Sequence, residues 1–254
     1  MLLKKALCIV LPVSVLTACI SVGSSNKAGN SEASFNQHMT LALQYLGRKN
    51  NDLARVHLKK AKQFNSSSAK AQLYGGYALL YQAEQDMGLA EQHYRKAIGS
   101  DQNNSMVRYN FAAFLYNQRR FIEALEHIEV ASNDLEYARR PQAFYISGLI
   151  QRQLTLSAEA LRSFVKVNQL LPEYAAPWLD TAEIHFEQKR FLEAGQALQQ
   201  FSDLARPTAK SLWLSVRLEK YFGNRDAVAS QGLKLKKLFP YSSENREYQQ
   251  WLQR

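Results

Sequence analysis

A spacing of small and aromatic residues returns along this chain every 34 to 36 residues, and a period of that length restricts the fold more than any single motif could. In the unit that begins at Ala71, Tyr74, Ala78, Tyr81, Ala90, Tyr94 and Ala97 occupy positions 4, 8, 11, 20, 24 and 27. A frame begun at Ser105 puts Phe111, Ala112, Leu115, Ala124, Ile128 and Ala131 at positions 7, 8, 11, 20, 24 and 27. The frame 36 residues before Ala71 holds Leu41, Ala42, Tyr45, Ala54, Leu58 and Ala61. Two more units start at Pro141 (Phe144, Gly148, Ala160, Phe164, Pro172) and Ala175 (Trp178, Ala182, Ala194, Leu198). A degenerate sixth runs from about Ala209 to Leu238, Phe239 and Pro240. Separations of three, four and seven keep each set on one face of a helix. Gly or Ala at positions 8, 20 and 27 lets paired helices approach closely, while bulky residues at 4, 11 and 24 fill the holes between them.

This ladder resembles the tetratricopeptide (TPR) family, with local departures such as Arg108 at position 4 of the third unit. The resemblance implies an all-α chain: a right-handed superhelix of about six helix-turn-helix repeats over residues 35–240, followed by a C-terminal capping helix over 241–254. Asn50, Asn51, Gly88, Gly223 and Asn224 stand between the helices of their units, where turn residues tolerate left-handed backbone. Ser242 or Ser243 can cap the last helix, in which Tyr248, Trp251 and Leu252 share a face. Gly75 and Gly76 suit a tight helix contact.

Ahead of the repeats, Lys4 and Lys5 precede an apolar run from Ala6 to Leu16. The run is short of the roughly 20 residues a membrane-spanning helix needs, so residues 1–18 read as a signal peptide. Its ending, Leu16-Thr17-Ala18-Cys19, resembles a bacterial lipoprotein box, which implies cleavage before Cys19 and lipid on its thiol. Several acyl chains anchor a protein durably where one would not. Ile20, in place of Asp, implies onward transport to the outer membrane. The Ser, Gly and Asn of residues 19–34 read as a flexible linker. Cys8 is lost with the signal, so no disulfide is expected and the fold must hold by packing.

No nucleophile elbow, phosphate loop or dinucleotide fingerprint occurs, and no catalytic residue is assigned. His38, His57, His93, His127 and His185 are scattered and read as solvated helix-face residues, with no metal site. No cofactor is expected beyond the covalent lipid on Cys19. The formal charge of +10 is dispersed rather than blocked, which disfavours nucleic acid. Lys234, Lys236 and Lys237 are its densest cluster and read as a solvated face.

In the TPR family the first helix of each unit lines a concave groove, with positions 2, 5, 9, 12 and 13 pointing inward. Carried onto this sequence, those places include Met39, Leu43, Leu79, Met106, Tyr109, Tyr116, Tyr145, Leu149, Arg152, Leu179, Phe186 and Trp213. Leu46, Gln82, Asn117, Glu183, Arg217 and Tyr221 join them. An aromatic-rich trough of this kind marks an interaction surface. The lipobox, the short linker and six repeats together resemble the pilotin lipoproteins of type IV pilus systems. That implies the pilus secretin subunit as partner, the outer membrane as location through the lipid anchor, and neither a small-molecule substrate nor nucleic acid. A general TPR scaffold of the cell envelope, assisting outer-membrane protein assembly or peptidoglycan enzymes, is the alternative.

Overall fold

The computed structural model describes residues 25–64 and 69–253, with side chains from Ser31 onward. The expected signal peptide over 1–18 and the lipid site Cys19 lie outside the described residues. Thirteen helices are described, and the first twelve pair in order. The pairs are α1 (Ser25–Gly47) with α2 (Asn51–Gln63), α3 (Lys70–Ala83) with α4 (Met87–Ser100), and α5 (Ser105–Asn117) with α6 (Phe121–Asn133). They continue as α7 (Arg140–Gln153) with α8 (Ser157–Leu170), α9 (Ala175–Glu187) with α10 (Phe191–Leu204), and α11 (Ala209–Tyr221) with α12 (Arg225–Leu238). Helix α13 (Ser243–Leu252) closes the array against α11. Among the described residues, no helix is long and apolar enough to cross a membrane.

The ladder residues hold the pairs together. Ala42, Ala54, Ala61, Ala78, Ala90, Ala97, Ala112, Ala124, Ala131, Ala160, Ala182 and Ala194 are all fully buried, as are Leu58, Tyr94, Ile128 and Phe164 at position 24. The glycines mark the tightest approaches. A Cβ added to Gly76 would come within 2.7 Å of Leu58 and 2.9 Å of Met39, and one added to Gly148 within 2.5 Å of the Phe164 ring. Close packing of this kind leaves no room for even one methyl group without displacement.

Three expectations are corrected here. Left-handed backbone falls on Lys49, Gln85, Arg119, Thr155, Lys189 and Gly223, position 15 in every unit. Of the residues expected there, only Gly223 takes that conformation. Asn50 and Asn224 instead cap the following helices through their side chains, Asn51 is the first residue of α2, and Gly88 lies within α4. The left-handed residue lets the chain close the first helix: Lys49 N–H donates to Leu46 and Asn50 N–H to Tyr45. Second, α1 begins at Ser25, so residues 25–34 of the expected linker are helical. Phe35, Met39 and Ala42 are buried along one side of α1, and the Ser31 hydroxyl donates to the Phe64 carbonyl, which ties this part of the helix to the end of α2. Third, Ser242 caps α13 and Tyr248 is buried, but Leu252 is half exposed and stands off the packed face.

Candidate functional site

Successive odd-numbered helices approach one another, as in α1 with α3, α3 with α5 and α11 with α13, more closely than successive even-numbered ones. The array therefore curls toward its odd-numbered helices, and their unpaired sides form its inner face. Of the groove residues expected from sequence, Leu43 is exposed, and Leu79, Met106, Tyr109, Tyr116, Tyr145, Leu149, Arg152 and Phe186 are half buried. Met39, Leu179 and Trp213 are buried at 6%, 8% and 7% exposure, so they belong to the core more than to a groove surface. Met39 sits against the bare backbone of Gly76, Leu179 packs in one cluster with Leu214 and Leu218, and Trp213 is covered by Tyr248 and Trp251 of α13.

From the third repeat onward, side chains on this face join from one repeat to the next. The Arg139 guanidinium lies 4.4 Å from the Tyr109 ring centre and donates to its hydroxyl at 3.1 Å, while Tyr137 packs on the same ring. Tyr145 meets Tyr174 edge-on at 5.1 Å, and its hydroxyl stands near the Asp180 carboxyl. Arg152 forms a two-pronged pair with Glu187 at 2.7 and 2.9 Å and stands 3.9 Å from Glu183, which in turn faces Lys210 at 3.8 Å. Arg217 lies over Phe186 at 4.6 Å and Trp213 at 5.3 Å, and the Trp213 indole donates to Glu247 at 2.8 Å.

The electrostatics follow from burial and these neighbours. Burial, reinforced by Glu183, pushes the Asp180 carboxyl up to about 6. Burial and the adjacent Asp180 charge hold the Tyr145 phenol far above its ordinary range. For Arg152, burial opposes the charge, but the Glu187 hydrogen bonds and the surrounding carboxylates outweigh it and raise its pKa. The face can therefore offer aromatic surface beside fixed, mostly paired charges, a combination suited to holding a polypeptide segment.

Sequence reading missed Asp180, Lys210 and the residues between repeats, Tyr137, Arg139 and Tyr174. Asp180 stands at position 6, which carries no inward signal in the repeat pattern, connection residues have no helical period to place them, and Lys210 stands at inward position 2 of the degenerate sixth unit. The histidines are also corrected. His93, His127 and His185 are half buried rather than solvated. His127 lies 4.7 Å from the Phe111 ring with Arg108 at 2.6 Å, and burial plus that cation lower its pKa to about 4. His38 and His57 meet through their Nδ1 atoms at 3.1 Å. Among the described residues, no three His, Cys, Asp or Glu side chains gather as a metal site.

No protein-family model matches the chain. It is 36% identical, over 98% of its own length and 99% of the relative's, to the type IV pilus assembly protein PilF of Pseudomonas aeruginosa. A solved structure of PilF from that organism superposes with a TM-score of 0.80 at 34% identity, covering 87% of this chain and 98% of that one. The structure of PilW, a type IV pilus biogenesis factor, superposes at 0.70 with 18% identity over 84% and 97% of the two chains, a likeness of fold.

Proposed function

Because the chain belongs to the PilF family of type IV pilus assembly proteins, a TPR scaffold family rather than an enzyme family, we propose that it serves as a pilotin. In this reading it is lipidated on Cys19, held at the periplasmic face of the outer membrane, and binds the type IV pilus secretin subunit. Binding promotes secretin localisation and multimerisation. The mechanism is binding energy alone: the scaffold shields exposed secretin surface and raises its local concentration at the membrane, with no bond made or broken.

The observation that carries the reading is the inner face of the third and fourth repeats. There Tyr109, Tyr116, Tyr145 and Leu149 remain half exposed beside Arg152, the aromatic and arginine content typical of binding hot spots. Tyr109→Ala combined with Tyr145→Ala is expected to leave membrane retention and helix content intact while reducing heat-resistant secretin multimers and surface pili. Truncation of one hot-spot residue costs about 2 kcal/mol or more of binding. Normal multimers in the double variant would reject this face as the site, and normal multimers in a deletion strain would reject the pilotin assignment. For the anchor, Cys19→Ser should yield folded protein that no longer sediments with outer membrane, and the native protein should incorporate labelled palmitate. Capture of barrel-assembly components or peptidoglycan enzymes with the lipidated protein, in place of secretin, would favour a general envelope scaffold.

A further inference from the structure

The cations of this chain are spread along its length, but their excess over acids is not. Residues 35–70, the first repeat and its connection to the second, hold seven Lys and Arg against one acid, Asp52. Residues 71–254 hold 22 Lys and Arg against 20 Asp and Glu. Most of the net charge of the array therefore sits on its first repeat.

The fold gathers four of those cations at one end of the first helix pair. Helices α1 and α2 run antiparallel, so the end of α2 lies beside the start of α1, where the Ser31 hydroxyl donates to the Phe64 carbonyl. Lys59, Lys60 and Lys62 stand in the last turns of α2 and Lys70 opens α3, and all four are exposed. None of them is ion-paired among the described residues, whereas Arg55, one turn back along α2, is engaged by Glu84. Glu32 is the single acid on α1. The same end of the third repeat is of opposite character, with Glu126, Glu129, Asp134 and Glu136 preceding Arg139 and Arg140. Lys59 and Lys62 also flank a niche of about 350 Å³ lined by Leu73, Tyr74 and Tyr77.

These features select a partner chemistry. Lysines carry point charges on flexible stems, which suits a diffuse negative surface, while two-pronged capture of a single carboxylate or phosphate is the work of arginine. Half-buried tyrosines beside them suit the headgroup level of a bilayer, where the ring meets apolar stems and the hydroxyl meets water. Position agrees with chemistry. The six residues from Cys19 to Ser25 reach at most about 20 Å, and the six helical residues on to Ser31 add about 9 Å. We propose that the lysine-bearing end of the first repeat docks on anionic phospholipid headgroups, a second attachment beside the acyl chains. This deepens the reading of a membrane-held scaffold and rests on it. One acyl signal and one polybasic patch hold a protein more firmly than either alone.

The experiment is co-sedimentation of the chain from residue 19 onward, carrying Cys19→Ser, with vesicles of phosphatidylethanolamine containing one quarter phosphatidylglycerol. Vesicles of phosphatidylcholine serve as the neutral comparison. The chain should sediment with the anionic vesicles at low ionic strength, not with the neutral ones, and should be released at high salt. Lys59→Gln with Lys60→Gln and Lys62→Gln should weaken that partition about a hundredfold, roughly fivefold for each charge removed, at unchanged helix content. Lys234→Gln with Lys236→Gln and Lys237→Gln removes the same charge from the far end of the array and should leave partition nearly unchanged. Failure to sediment with anionic vesicles overturns the proposal, as does equal sedimentation with neutral ones. Equal losses from the two triple variants would reduce the effect to net charge and overturn it too. So would a Lys59, Lys60 and Lys62 variant that keeps its vesicle binding and loses secretin capture, which would give this end to a protein partner. Because the tested chain carries no acyl group, these results stand apart from palmitate labelling of the native protein, which alone decides the anchor.

Discussion

The inner faces of the first three and last three repeats share one backbone plan and carry different chemistry. At the five inward positions of repeats 1 to 3 stand residues such as Leu43, Leu79, Met106 and Tyr109, and no Asp, Glu, Lys or Arg. The same positions in repeats 4 to 6 hold Arg152, Glu183, Glu187, Lys210, Arg217 and Lys220. The junctions differ accordingly. In the first half, small residues bring first helices together, with Gly75 set against Val107 and Gly76 against Met39. Between the fourth and fifth repeats, α7 and α9 approach less closely, and the long side chains of Arg152, Glu187 and Tyr145 span the gap. Since each repeat in a solenoid contacts mainly its neighbours, one junction can change from apolar contact to a polar network without disturbing the next. Recognition chemistry can thus vary along the array while the buried ladder stays the same.

The largest test of this contrast is the pH dependence of stability. Asp180 rises from an ordinary 3.8 to about 6 in the fold, so the native state holds its proton more tightly than the unfolded chain does. Its stabilising contribution is complete below pH 4 and is lost as pH rises through 6, a change of about 3 kcal/mol. Asp180→Asn should flatten the stability profile over that interval and raise the melting temperature at pH 7. An unchanged slope would mean that the polar network is not buried as described. Next in size, Ala90→Leu and Ala194→Leu, at position 20 of repeats 2 and 5, should each overpack the helix pair and cost about 1 to 3 kcal/mol in denaturant unfolding. A large loss at one and none at the other would break the claim that both halves share the same ladder. The smallest effect concerns the ions. Arg152→Met should cost about 1 kcal/mol at low ionic strength and less at high salt, because Glu187 is half exposed and the pair is screened. Gln82→Met, at the same inward position 12 of repeat 2, should show no such salt dependence.

How far these features were legible depends on whether a residue type answers to one local demand. The alanines at positions 8, 20 and 27 could be placed because closely packed helices admit little else, and Gly76 and Gly148 because their neighbours leave no room for a Cβ. The left-handed turns could not. Lys49, Gln85, Arg119, Thr155 and Lys189 have no intrinsic preference for that conformation, and the closing hydrogen bonds of the preceding helix impose it. Reading Asn50 and Gly88 as the bend followed composition, whereas backbone closure acts one to three residues earlier.

By itself, the sequence determined the helical period, the pairing of helices and the ladder that packs them, because those follow from residue size repeated at fixed spacing. It also marked the aromatic content of the inner face. Only the tertiary structure decided which inward positions remain surface: Met39, Leu179 and Trp213 sank into the core where a neighbouring helix covered them, while Tyr109 and Tyr145 stayed accessible. The same holds for Asp180 and for the bridges from Arg152. Each of these depends on a side chain from another helix or another repeat. The energy of a buried polar group is set by the partners that arrive from elsewhere in the chain, and a local pattern of residues carries no record of them.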